Sequence, residues 1–269
     1  MHIRTAVCVQ SCCSIGLAVV LGGPLVSESC AETAEGWLRR SQAARFPGGD
    51  FRADFELVSE AKDGTVESRS GITFRRSRGE SLADRLMVFR SPPRLAGLVF
   101  LSKDRAGEPA DQWVYMPVYR RARRISFHRG GDALVGSDFM YADVGRVRIE
   151  AGEHRLRGNG KVGNRDCVLV ETMSKDPNLP YARLLSKLDS QNALPLRVEH
   201  YGADDQLTRV LTLDEVIEID GMPTPTKVSV TNEVTGGRSA LILRNAHYNV
   251  GLESGLFTVE RLEDLQHVQ

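Results

Sequence analysis

From Phe51 to His247 the chain is a relay of short segments in which apolar and polar residues alternate, each bounded by turn residues. A period of two sends successive side chains to opposite sides, which marks a strand with one buried face. "FRADFELVSE" at 51–60 puts Phe51, Ala53, Phe55 and Leu57 on one side, and the turn "KDG" leads into "GTVESRSGITFRR". "SLADRLMVFRSP", "RLAGLVFLSKD", "DQWVYMP" and "RRARRISF" follow. Beyond Gly145 come "VRIEAGEHRLRG", "RDCVLVETMS", "ALPLRVEHYG", "QLTRVLTLDEVIEI", "PTKVSVTNEV" and "RSALILRNAHY". Ten to twelve strands at hairpin spacing predict a mainly β fold, a single antiparallel sheet that is strongly curved or barrel-like. A sheet of that width curls, and its inside must be filled or covered.

Helices are few. Residues 32–46, "ETAEGWLRRSQAARF", carry Ala34, Trp37, Leu38 and Ser41 at helical spacing and stop at "PGGD". In "HRGGDALVGSDFMYADV" a Gly-rich front precedes one short helix, capped by Ser137 or Asp138 and running to Asp143. "YARLLSKLDSQ", between Pro180 and Pro195, reads as either a short helix or a strand. "GLESGLFTVERLEDL" at 251–265 mixes a turn with a final short helix.

The first 31 residues read as a secretory signal. His2 and Arg4 precede an uncharged stretch from Thr5 to Ser27, and Ser29 and Ala31 suit cleavage after Ala31. The apolar run is too short and too broken by Gly and Pro24 to span a membrane. The expected product is a soluble periplasmic domain, 32–269. Four of the five cysteines leave with the signal, and Cys167 in "DCVLVET" is expected as a small buried hydrophobe.

"QWVYMPVYRRARRISF" at 112–127 interleaves Trp113, Tyr115, Tyr119 and Phe127 with Arg120, Arg121, Arg123 and Arg124. Rings and cations in that mixture suit single-stranded nucleic acid. Charge argues against it: the chain holds 35 basic and 35 acidic residues, and the signal removes one of each, leaving no basic excess. "GNGKVG" at 158–163 matches a dinucleotide fingerprint literally, but "NRDCVLVET" after it is a strand, so its glycines read as a hairpin turn. His128, His154, His200, His247 and His267 show no metal-ligand spacing, and no nucleophile elbow is present. Glu199 and His200 are neighbours along a strand and point to opposite faces, which leaves them inert as an acid–base pair. Neither catalysis nor a cofactor is expected.

The stretches at 86–102 and 111–144 carry a resemblance. Trp113, Tyr115 and Pro117, then Arg123, Arg124 and Ile125, then Gly136, Ser137, Asp138, Phe139 and Tyr141 form a pattern similar to the LolA-like, outer-membrane lipoprotein-sorting family. Phe89, Pro92, Gly97 and Leu101 extend it, and "RLAGLVF" departs from it by being more apolar. The resemblance implies an unclosed antiparallel β-barrel lidded by short helices, with an apolar concave side that holds acyl chains. It implies a periplasmic carrier for a lipid or lipid-modified protein, working beside an efflux-type inner-membrane transporter, or a ligand-sensing or scaffold module on a membrane protein. On that reading Trp113, Tyr115, Phe139 and Tyr141 line the lipid cavity; without a ligand, Trp113 and Tyr115, which share one face of their strand, read equally as core. Gly130, Gly131 and Gly136 hinge the lid. Arg120, Arg121, Arg123 and Arg124 form a basic rim for an anionic headgroup or an acidic partner, or pair with Asp138 and Asp143. The protein is expected to be a monomer.

Overall fold

The structure, a computed structural model, describes residues 32–45, 47–79, 82–126 and 131–267. The signal segment 1–31, Phe127, His128 and the hinge residue Gly130 lie outside the described residues. Helix α1 (Ala34–Arg45) leads into six strands: β1 (Phe51–Glu60), β2 (Val66–Ser77), β3 (Ala83–Ser91), β4 (Val99–Lys103), β5 (Asp111–Met116) and β6 (Arg121–Ile125). A connection containing α2 (Tyr141–Val144) leads to β7 (Gly152–Val162), β8 (Arg165–Ser174), β9 (Arg183–Asp189), β10 (Pro195–Tyr201), β11 (Leu207–Ile219), β12 (Met222–Asn232) and β13 (Arg238–Tyr248). The chain then ends in short 3-10 turns over 254–267 rather than a closing α-helix.

All thirteen strands form one antiparallel sheet in the order β6-β5-β4-β3-β2-β1-β13-β12-β11-β10-β9-β8-β7. Every neighbour is a hairpin partner except β1 and β13, which meet from opposite ends of the chain. The sheet is therefore an unclosed barrel whose two free edges, β6 and β7, are consecutive in sequence. The segment that joins those edges also carries the lid.

The ambiguous stretch at 181–191 is strand β9, because Leu184, Leu185 and Ser186 pair with both β8 and β10. Helix α2 starts at Tyr141 rather than after Ser137 or Asp138. Asp143 accepts the Met140 backbone N–H, so the helix is capped from within. Of the glycines at 158–163 only Gly163 sits in the hairpin turn, while Gly158 falls at a register shift inside β7. Cys167 is buried on β8, and burial raises its thiol pKa.

Strand parity sorts the core into layers. On the inner face Phe55, Leu57, Met87, Phe89, Phe100 and Val230 pack with Leu134 and Phe139 of the connection. On the outer face Ile72, Leu86, Val88, Val99, Leu101 and Tyr115 pack under Phe257, Leu262 and Leu265 of the C-terminal turns. Helix α1 covers the other half of the barrel, where Ala34 and Leu38 meet Val170 and Leu188. The helix forms because its buried positions 34, 38, 41 and 42 fall on one face.

Candidate functional site

Residues 131–151 descend from β6 into the inner side of the sheet and return to β7. Ala133 and Met140 bridge, which folds the segment into a tight loop, and Gly136 takes a left-handed φ of 75° within it. At Gly131 a Cβ would stand 2.8 Å from Pro180, so the loop packs closely there. Polar groups from distant strands fix the lid. Ser239 on β13 donates to Asp138 Oδ2 at 2.7 Å and accepts from the Asp138 N–H at 2.9 Å. Gln112 on β5 donates to the Tyr141 carbonyl at 2.9 Å. Arg69 on β2 reaches the Gly136 carbonyl at 3.3 Å. Buried Arg209 on β11 grips both oxygens of Asp143 and also donates to the Asp138 carbonyl at 3.1 Å.

Under the lid lie two adjoining cavities of about 190 Å³ each, with Arg45, Asp143 and Leu211 lining both. The first lies between α1 and the lid and reaches Tyr181 and His200. The second is mostly apolar, walled by Phe55, Leu57, Met87, Leu134, Phe139 and Leu241. Its charged end holds Arg45, Arg75 and Arg85. Arg85 pairs with buried Asp104 at 2.8 Å, and Arg75 donates to the Pro47 carbonyl at 2.9 Å. Burial draws the Arg75 guanidinium down to about 10, and Arg85 adds to that shift. In the first cavity burial, reinforced by Arg209, holds His200 down at about 4. Tyr181 stacks edge-on against that ring, 5.0 Å between centroids, and burial raises its phenol.

The structure separates the four residues expected to line a lipid cavity. Trp113 and Tyr115 pack with the C-terminal turns on the outer face and line neither of these two cavities. Phe139 and Tyr141 lie on the inner side, where Tyr141 meets Phe100 at 5.6 Å and Phe139 lines the second cavity. The rim arginines divide as strand parity predicts: Arg121, Arg123 and Ile125 oppose Met116, Val114 and Gln112, and Arg124 opposes Trp113. Arg120 and Arg124 pair with Glu263 and Asp111. Asp138 and Asp143 are occupied by Ser239 and Arg209, so they do not serve the rim. Glu199 and His200 do face opposite ways, and both are buried: Glu199 is held by Arg197, Lys187 and Tyr201.

Arg45, Arg75, Arg85 and Arg209 escaped the sequence reading. Three of them carried a signal. Arg75 shares its side of β2 with Thr73, Arg85 shares a row with Met87 and Phe89, and Arg209 shares one with Leu211 and Leu213. A charge set in an apolar row is either an error in parity or a buried, working charge. No group of three or more His, Cys, Asp or Glu side chains suited to a metal occurs among the described residues.

A family model described as an uncharacterised protein matches residues 82–264, and no curated protein matches the chain. Solved structures do. An outer membrane lipoprotein-sorting protein domain from Vibrio parahaemolyticus is 25% identical, with a TM-score of 0.79 over 86% of this chain and 99% of that one. A DUF1329 family protein from Desulfovibrio piger is 24% identical, with a TM-score of 0.78 over the same shares. A LolA superfamily protein from Nitrosomonas europaea is 21% identical, with a TM-score of 0.67 over 84% of this chain and 97% of that one. With that model covering more than half of its length, the chain belongs to the family of uncharacterised proteins that it describes, and its fold is that of the LolA-like lipoprotein-sorting structures.

Proposed function

We propose that the protein is a periplasmic carrier: one domain, 32–269, released by cleavage after Ala31, that shelters the acyl chains of a lipid or lipid-modified protein. The observation that carries this reading is the apolar cavity enclosed between the inner sheet face and the lid. Each methylene buried there contributes about 0.8 kcal/mol, so a short length of chain gives useful affinity. The sorting domain from Vibrio parahaemolyticus supports the same class of cargo. The rim belongs to this reading as the contact with anionic headgroups or an acidic partner, for example an efflux-type transporter of the inner membrane. Val118 and Tyr119, 84% and 66% exposed, sit at the tip of its hairpin beside Arg120 and Arg121. The carrier works as a monomer, without catalysis, cofactor or metal.

Solvent extraction of the purified protein followed by mass spectrometry tests it. Bound lipid supports the carrier; an empty extract favours a ligand-sensing or scaffold module. Phe139→Asp sharpens the test, because an unpaired charge in that wall is far costlier than any gain. Co-purified lipid is expected to fall by at least about tenfold, since an unpaired buried charge costs well over the free energy of one decade in affinity, while the circular dichroism of the sheet stays unchanged. Wild-type lipid content in the variant would remove Phe139 from the site, and an unfolded variant would make it ordinary core.

A further inference from the structure

No acidic residue occurs in the sequence between Asp111 and Asp132, while Arg120, Arg121, Arg123 and Arg124 fall within five positions of that stretch. The fold makes it a hairpin at the border of the sheet, since β5 and β6 pair from Gln112–Ile125 to Met116–Arg121 and β6 is a free edge. Pro117 opens the 3-10 turn at its tip, and the Arg120 N–H closes that turn onto the Pro117 carbonyl at 3.0 Å. On this tip Val118 and Tyr119 are both exposed and adjacent. Val66 and Val234 are similarly exposed, but each has polar residues on both sides in the sequence. Single exposed apolar side chains are ordinary; an apolar pair ringed by cations is not. Arg123 lies over the Tyr119 ring, 5.9 Å from its centroid, so cation and ring act as one group.

We infer that the β5–β6 hairpin docks the protein on the surface of an anionic phospholipid bilayer, with Val118 and Tyr119 entering the interfacial layer and the four arginines meeting lipid phosphates. The inference rests on the carrier reading and names the partner of its rim. Arg121 and Arg123 share one side of β6 and Arg124 takes the other, so cations stand on both sides of the strand. A plane of phosphates meets such an arrangement from any side, whereas a protein surface is recognised by directed pairs on one face. The carboxylates that face the hairpin are Glu263, 3.2 Å from Arg120, and Asp111, which pairs with Arg124 and lies 3.7 Å from Arg105. Pairs between side chains this exposed hold weakly, and a phosphate replaces the carboxylate without loss of charge-assisted bonds. The closed turn presents its side chains before contact, which lowers the entropy lost on docking. From the tip β6 runs to Ile125, which with Ser126 lines the first cavity. The docking element and the cavity wall thus share one strand.

Vesicle flotation tests this, with phosphatidylglycerol–phosphatidylethanolamine vesicles beside vesicles of phosphatidylcholine alone. Each arginine near an anionic surface is worth about fivefold in partition. Wild type is expected to prefer the anionic vesicles by at least about tenfold, a preference that falls as salt rises. The double variant Arg121→Gln with Arg123→Gln is expected to lower binding to the anionic vesicles about twentyfold. Val118→Ser with Tyr119→Ser is expected to lower binding to both kinds of vesicle by at least about tenfold. All four side chains are exposed, so both variants are expected to melt as wild type does and to keep wild-type co-purified lipid. Absence of vesicle binding overturns the inference and hands the hairpin to an acidic protein surface, with the carrier reading intact wherever lipid still co-purifies. Binding that survives both double variants places the membrane contact elsewhere and overturns it too. Loss of vesicle binding together with co-purified lipid makes the hairpin part of the cargo site instead.

Discussion

His200 faces Tyr181 and Arg209 from β10, on the side of the strand opposite Glu199. Its Nε2 lies 3.4 Å from the Arg209 guanidinium, which can only donate, so Nε2 accepts and the ring is neutral. Burial and that neighbouring cation hold its pKa at about 4, below the ordinary 6.5. The unfolded chain therefore takes up a proton between pH 6.5 and 4 that the folded chain refuses. Stability from this group is present above pH 6.5 and is lost as pH falls through that window, by roughly 3 kcal/mol at the lower end. Urea unfolding at pH 7 and pH 4 checks it: His200→Gln is expected to lose about that much less than wild type on acidification. Equal losses in the two proteins would mean that His200 does not titrate differently on folding.

Among the elements, the connection between β6 and β7 departs furthest from sequence rules. Its strands, by contrast, were legible from alternation and turn residues, and α1 from the spacing of Ala34, Leu38 and Ser41. The lid's cap was not, since Ser137 and Asp138 look like cap residues but spend their groups elsewhere. Ser137 bonds the Leu134 carbonyl, and Asp138 bonds Ser239, 101 residues away. No local pattern reports a partner at that distance. The grip of Arg209 on Asp143 is of the same kind and spans 66 residues. Removing one partner of a buried pair strands the other, at about 3–5 kcal/mol. Asp143→Asn is thus expected to loosen the lid while the sheet ladder persists. Hydrogen exchange resolved by peptide checks it: amides of 131–148 are expected to exchange at least about tenfold faster, with β11–β13 unchanged. Uniform acceleration throughout would make Asp143 a global stabiliser rather than a lid anchor.

At the scale of the molecule, a wide sheet has two faces, and both need a cover where both are apolar. Alternation tells which residues share a face but not which face curls inward, so alone it does not decide between cavity and core for Trp113 and Tyr115. Uninterrupted runs did hold the missing information. Leu86 to Phe89 and Val99 to Leu101 are apolar at every position, so both sides of β3 and β4 are buried and some other segment must lie on the outer one. That segment is the C-terminal tail. Phe257, Leu262 and Leu265 are almost wholly buried over β2–β5, Lys103 donates to the Phe257 carbonyl at 3.2 Å, and Arg76 stacks on the Phe257 ring. The lid and the tail therefore stand in different relations to the fold, although both are short, poorly helical segments on an apolar sheet face. The lid closes over cavities and the tail over solid core. Truncation after Gly251 removes those three side chains at about 1.5–3 kcal/mol each and uncovers Ile72, Leu101 and Tyr115 as well. The sum approaches the whole stability of an ordinary domain. The shortened chain is expected to lose its cooperative thermal transition and to aggregate, where Asp143→Asn keeps a single transition at a lower temperature. A truncated protein that melts as wild type does would place the tail outside the folding unit and return Trp113 and Tyr115 to an open surface.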